Sequence, residues 1–123
     1  MIVVVAGSRG VEIWDTYAAL AYCTLPVDEV VCGMADGADM HGWLWAKENN
    51  KPVRERPANW KKNGKAAGPI RNGQMAQEGD GAIVVWDGVS RGALNMAYQM
   101  QGLGKPCELY GPRPSEIDVE RDI

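Results

Sequence analysis

At 123 residues, with 46% apolar and 24% charged side chains, the chain has the size and composition of one compact domain. A net charge of −3 argues against a broad electrostatic footprint on nucleic acid and leaves room only for a local basic pocket. No run approaches the ~20 apolar residues of a membrane span, and no basic region precedes the short apolar stretch at the N-terminus, so a cytoplasmic protein with neither membrane anchor nor signal peptide is expected. Cys23, Cys32 and Cys107 stand at unrelated spacings, which suits neither a disulfide framework nor a Cys-x-x-Cys metal site; they are expected to be reduced and mostly buried. Phe is absent, yet there are five Trp and 15 Gly. An indole N–H needs a partner when buried, so some of these tryptophans are candidates to line a site.

Met1 to Ala6 is an unbroken apolar run ending at Gly7-Ser8-Arg9-Gly10, the pattern of a strand buried on both faces that enters a glycine loop. Apolar residues at helical spacing (Ile13, Tyr17, Leu20, Ala21) predict a helix from about Ile13 to Leu25, stopped by Pro26. A short strand, Glu29 to Cys32, leads into Gly33-Met34-Ala35-Asp36-Gly37-Ala38-Asp39, and a helix follows over about Asp39 to Asn49. Pro52 to Pro57 is a weaker strand with prolines at both ends, as suits an edge. Residues 58 to 64 are expected to form a polar loop, and a third helix to start near Pro69, whose fixed φ suits a first turn. Gly79-Asp80-Gly81 closes that helix before the strand Ala82 to Trp86. The loop Asp87-Gly88-Val89-Ser90-Arg91-Gly92 precedes a helix over about Ala93 to Gln101, and Cys107 to Tyr110 supplies a last strand. The charged, proline-bearing tail from Gly111 to Ile123 is expected to be poorly tied down.

Strands alternating with helices at this spacing predict an α/β domain over residues 1–110, with a parallel sheet of about five strands between two helix layers. The expected order is 3-2-1-4-5, which places a ligand crevice beyond the carboxyl ends of the strands where connections leave strand one in opposite directions. The unusual residues of the chain all follow strand ends. Glycines allow close backbone approach to an anion, and the next helix aims free N–H groups at it. The loops after strands one and four have this form, and each adds an arginine, Arg9 and Arg91, able to grip a phosphate or carboxylate through two parallel hydrogen bonds. A plain strand-to-helix turn is the bland alternative for either loop alone.

After strand three, Lys61, Lys62, Lys65 and Arg71 cluster beside Asn72. Lys61 and Lys62 suit a solvated loop, whereas Lys65 and Arg71 oppose the dipole of the helix they begin, which an anionic ligand would relieve. Trp86 and Asp87 offer an aromatic face beside a carboxylate, suited to a base and a ribose, with core packing as the equal alternative for Trp86. Trp60 falls at the end of strand three, near the same contacts. In the loop after strand two, Asp39 is expected to cap the next helix. The single histidine, His41, rules out a histidine pair and is expected at the surface. No Gly-x-Ser-x-Gly elbow and no metal-ligand spacing occur, and no cofactor is implied.

Taken together, the series GSRG, GMADGAD, PANW followed by GKAAGPIRNGQM, and WDGVSRGALN resembles the YspA-like branch of the SLOG superfamily, the Rossmann-like group that includes the DprA and LOG proteins. The likeness runs from about Ile2 to Pro106. It implies one Rossmann-like domain binding a nucleotide or nucleotide-derived ligand, and, since small members of this branch are common in bacteria and their phages, a bacterial or phage source. By motif, the implied contacts are Gly7, Ser8 and Arg9; Gly33, Gly37 and Asp39; Lys65, Gly68, Arg71 and Asn72; and Asp87, Gly88, Ser90, Arg91 and Gly92. LOG relatives hydrolyse the N-glycosidic bond of nucleoside monophosphates with a glutamate on the helix after a glycine loop. Here that stretch ends in Asn95, and an amide cannot act as a general base. Met34 and Asn59 also depart from the family pattern, standing where a glycine and an aspartate are common.

The sequence therefore leads to a nucleotide-binding protein acting as sensor, sequestering protein or accessory factor. The alternative is a nucleotide N-glycosidase using Asp87 or Asp39. Binding of single-stranded DNA, as in DprA relatives, is disfavoured by the acidic balance. Self-association through helix faces bearing Trp14, Trp43 or Trp45 is a further expectation.

Overall fold

The N-terminal valines become the centre of a sheet. The structure, a computed structural model, describes residues 1–111. Strands β1 (Ile2–Gly7), β2 (Glu29–Cys32), β3 (Val53–Glu55), β4 (Gly81–Val85) and β5 (Cys107–Tyr110) alternate with helices α1 (Ile13–Tyr22), α2 (Ala38–Glu48), α3 (Trp60–Asn63), α4 (Ala67–Glu78) and α5 (Arg91–Gly102). A 3-10 turn, Gly64–Ala66, joins α3 to α4. The five strands lie in the order β3-β2-β1-β4-β5, and every neighbouring pair is parallel, with Val4 of β1 set between Val31 and Ala82. The predicted α/β class and strand order are both observed. The tail from Pro112 lies outside the described residues.

Alternation along each strand divides the core in two. Val3, Val5, Val30, Cys32, Ile83 and Val85 face α1 and α2, where Ala19, Leu20, Ala38 and Ala46 complete one cluster. Val4, Ala6, Val31, Ala82 and Val84 face α4 and α5, and meet Met75, Ala76, Ala93, Met96 and Met100. A continuous apolar strand is what burial on both faces demands, and each fully buried valine contributes roughly 1.5–3 kcal/mol. Truncating Met96, which is wholly enclosed, to alanine would cost about 2–5 kcal/mol through the lost contacts and the cavity left behind.

Several element ends differ from the sequence expectation, each for a local reason. Helix α1 stops at Tyr22 rather than Leu25, with Cys23 extended and the Thr24 N–H donated to the Glu108 carboxylate. The expected polar loop contains helix α3, because the Asn59 side chain accepts the Lys62 N–H at 3.0 Å and acts as its N-cap. Helix α4 starts at Ala67, so Pro69 sits inside its first turn, where the missing N–H would have had no intrahelical partner. Helix α5 starts at Arg91, capped by Ser90, whose hydroxyl accepts from the Ala93 N–H at 3.5 Å. His41 is half-buried, not a surface residue, and its Nδ1 lies 3.0 Å from Thr16 Oγ1 between α1 and α2. Cys32 is buried and Cys23 and Cys107 are partly so; all three are free thiols.

Candidate functional site

At the carboxyl edge of the sheet, the loops after β1, β2 and β4 are bound to one another. Ser8 donates its N–H to the Val85 carbonyl at 2.9 Å, accepts the Asp87 N–H on its hydroxyl at 3.0 Å, and receives the Ala38 N–H on its carbonyl at 3.2 Å. Gly37 permits that approach: its φ is +84°, and a Cβ there would stand 2.4 Å from the Ser8 carbonyl oxygen. Ser8, only 1% exposed, therefore joins loops, and it lies outside the wall of the cavity above them.

Above these loops lies a cavity of about 400 Å³, a size within the ordinary range for small-molecule sites. Its wall is built from Gly7 and Arg9 after β1, Ala35 and Asp39 after β2, Trp60 of α3, Gly68, Pro69, Arg71 and Asn72 of α4, and Ser90, Arg91, Gly92 and Asn95 at the start of α5. A second hollow of about 300 Å³ adjoins it, sharing Arg9, Ala35, Trp60 and Arg71 and adding Gly33, Met34 and Pro57. Trp60 stands between the two with its side chain 52% exposed. Arg9 and Arg91 are exposed, and neither side chain makes a hydrogen bond or ion pair with the described residues.

Asp39 and Arg71 share the inner wall. Asp39 is not the helix cap, a role taken by Gly37; it lies in the first turn of α2, is 4% exposed, and accepts the Ala35 N–H at 3.3 Å. Burial pushes its pKa up to about 6, against the opposing pull of the Arg71 charge, the Ala35 and Gly7 N–H groups, and Arg9. Arg71 donates from Nη1 to the Gly33 carbonyl at 2.5 Å and from Nε to Asn72 Oδ1 at 3.1 Å. Gly33 leaves room for both charged groups, since a Cβ there would lie 2.1 Å from Arg71 Nη1 and 2.7 Å from Asp39 Oδ2. A carboxyl group titrating near neutrality inside a cavity can exchange a proton or bind a hydroxyl.

The cavity gathers Gly7, Arg9, Asp39, Trp60, Gly68, Arg71, Asn72, Ser90, Arg91 and Gly92 from the sequence-derived set, and Gly33 borders the adjoining hollow. Outside both walls are Ser8, Gly37, Lys65, Trp86, Asp87 and Gly88. Lys65 is exposed in the 3-10 turn, so the opposition to the α4 dipole inferred for it is relieved by solvent. Trp86 packs against the Met75 and Met96 side of the core, and its Nε1 donates to the Ser90 carbonyl at 3.0 Å. Asp87 accepts the Val89 and Ser90 N–H groups at 2.9 and 2.8 Å, which hold its carboxyl below the usual aspartate range. Asn95, which the motif reading noted only as standing in place of a catalytic glutamate and did not count among the contacts, also lines the wall. Its signal was its place four residues after Arg91 on the same helix face. Among the described residues, no group of three His, Cys, Asp or Glu is placed to hold a metal ion, and no helix is long and apolar enough to cross a membrane.

Strand order and crevice together define a Rossmann-like α/β domain whose cavity lies at the point where the sheet connections diverge. The same fold occurs in the X-ray structure of DNA processing protein A (DprA) from Streptococcus pneumoniae, with a TM-score of 0.70 at 19% sequence identity. The match covers 95% of this chain and 51% of that one, so the chain spans about half the length of the DprA structure. This is a likeness of fold, and it is the fold that resemblance to the SLOG superfamily implies. No protein-family model and no curated protein matches the sequence.

Proposed function

We propose that the chain is a YspA-like member of the SLOG superfamily that binds a nucleotide or nucleotide-derived ligand in the cavity at the strand ends, as a sensor, sequestering protein or accessory factor. The observation that carries this reading is the pair of arginines, Arg9 and Arg91, whose side chains make no hydrogen bond or ion pair among the described residues, on the rim of a cavity that also bears the exposed face of Trp60. Two guanidinium groups suit a phosphate, and an open indole suits a base. Calorimetric titration with mononucleotides, cyclic nucleotides and ADP-ribose tests it. At least one should bind, and Arg9→Ala should weaken that ligand by about 10–100-fold, the loss expected of a charge-assisted contact. A folded chain that responds to none of them removes the reading.

A second reading, nucleotide N-glycosidase, draws support from Asp39, whose buried carboxyl carries a pKa of about 6 on the cavity wall. Such a group could stabilise an oxocarbenium-like centre or activate water. Asp87 is less suited, since its carboxylate is taken up by two backbone N–H groups. Release of free base from nucleoside monophosphates, abolished in Asp39→Asn, is the result this reading requires. The name of the DprA neighbour refers to DNA processing; for this chain the net charge of −3 works against DNA binding. Retarded migration of single-stranded DNA at low salt would reverse that ranking.

A further inference from the structure

Asn95 joins the cavity wall through a chain of hydrogen bonds whose polarity is set at its far end. Arg71 Nε can only donate, so the Asn72 atom facing it at 3.1 Å is the amide oxygen. The Asn72 Nδ2 at the other side then meets the Gly92 carbonyl at 3.3 Å, a group that can only accept, which demands the same orientation independently. That Nδ2 also lies 3.1 Å from the Asn95 amide, so Asn95 turns its Oδ1 toward Asn72 and its Nδ2 away. Asn72 is only 6% exposed, and water has little access to scramble the relay.

Among the described residues, no buried side-chain nitrogen or oxygen lacks a hydrogen-bond partner. Asn95 Nδ2 has no protein partner there, so it reaches open space, and the open space that Asn95 borders is the cavity. Arg91 lies one helical turn earlier on the same face of α5, and Arg9 stands on the same rim. This side of the cavity therefore presents side-chain donors: two guanidinium groups and one oriented amide.

We propose that Asn95 is a specificity-determining residue that donates from Nδ2 to a phosphate oxygen of the ligand, and that the Arg71–Asn72 relay holds it in that polarity. The proposal rests on the nucleotide-binding reading and assigns one contact within it. A carboxylate at this position would offer lone pairs, accept from a hydroxyl and repel the phosphate. The amide does the reverse, so the site selects a phosphorylated ligand over its uncharged nucleoside.

The test is titration of the full chain with adenosine monophosphate and with adenosine. The set comprises the wild type, Asn95→Asp, Asn95→Ala, Asn72→Asp, and Asn72→Asp combined with Asn95→Ala. Both single replacements of Asn95 should weaken adenosine monophosphate, by about 10–100-fold for Asn95→Asp and less for Asn95→Ala, with adenosine changed by less than about threefold. Asn72→Asp can only accept from Asn95, which turns the Asn95 oxygen into the cavity; it should cost a similar factor alone and little further once Asn95 is alanine. That non-additivity separates the relay from a merely structural role, and thermal melts confirm that each variant is folded. Equal weakening of both ligands, or an Asn95→Ala chain that keeps its affinity for adenosine monophosphate, overturns the proposal. A wild type that binds the two ligands equally, or binds adenosine and not adenosine monophosphate, overturns it while leaving the nucleotide reading in place. A wild type that binds neither of these nor other mononucleotides, cyclic nucleotides or ADP-ribose removes both.

Discussion

Asp39 and Asp87 follow the two strands that flank β1, Asp39 in the first turn of α2 and Asp87 in the loop before α5, and the fold treats them in opposite ways. Asp39 is drawn beneath the loops onto the cavity wall, where lost hydration outweighs the Arg71 charge and lifts its pKa to about 6. Asp87 turns back on its own loop, and the Val89 and Ser90 N–H groups stabilise its ionised form. In sequence both are acids within two residues of a glycine, Gly37 and Gly88. Both have backbone donors within reach, and what separates them is the water each gives up: burial raises the pKa of Asp39, whereas Asp87, far less buried, keeps the benefit of its donors.

Neutralising Asp39 should have the largest effect. Below about pH 3.8 its carboxyl is protonated in both the folded and unfolded chain. Between there and about pH 6 the unfolded chain loses the proton while the folded one keeps it, so stability falls as pH rises; above pH 6 the folded state carries the whole penalty, on the order of 3 kcal/mol. Asp39→Asn should remove this dependence and raise stability at pH 7 by up to that amount, read from denaturant unfolding at a series of pH values. A variant that keeps the slope between pH 4 and 6 would show that another group produces it.

Gly33→Ala should come next. The new Cβ would lie 2.1 Å from Arg71 Nη1, so the guanidinium must move, at a cost of about 1–3 kcal/mol for overpacking. With its compensating charge displaced, Asp39 should hold its proton to higher pH, extending the downward slope of stability beyond pH 6. An unchanged slope would mean that Arg71 contributes little to the field at Asp39. Asp87→Asn should have a smaller effect of opposite sign. The stabilisation that Asp87 supplies is present above pH 3.8 and is lost as pH falls through its lowered folded-state pKa, so wild type and variant should differ in melting temperature at neutral pH and converge in acid.

Strand order and the edge that carries the site were legible because a continuous Val-rich run, glycine loops and the alternation of elements all act locally and agree. The split of the cavity wall was less so. Arg9 and Arg91 could be placed by loop alone, whereas the burial of Asp39 depends on α2 being capped by Gly37, not by its own side chain. A capping aspartate and a buried one share the same letters. Helix α3 was hidden in a segment that reads as polar loop, since its start is marked only by the Asn59 cap and it buries none of its residues. Asn95 was legible only as the place where a carboxylate is missing: its amide orientation is inherited from Arg71 across two elements, which no spacing encodes.

The contrast extends to the two tryptophans at strand ends, which should barely alter stability relative to Asp39 but report position directly. Trp60 is half-exposed between the two hollows, whereas Trp86 packs into the core with its N–H given to the Ser90 carbonyl. Ligand-induced quenching of tryptophan emission should therefore vanish in Trp60→Phe and persist in Trp86→Phe. The latter should lose about 1 kcal/mol of stability with its hydrogen bond. The reverse pattern would move the ligand from beneath α3 to the loop after β4. Asp87 would then face it, and the burial that distinguishes Asp39 would be a feature of the scaffold and not of the site.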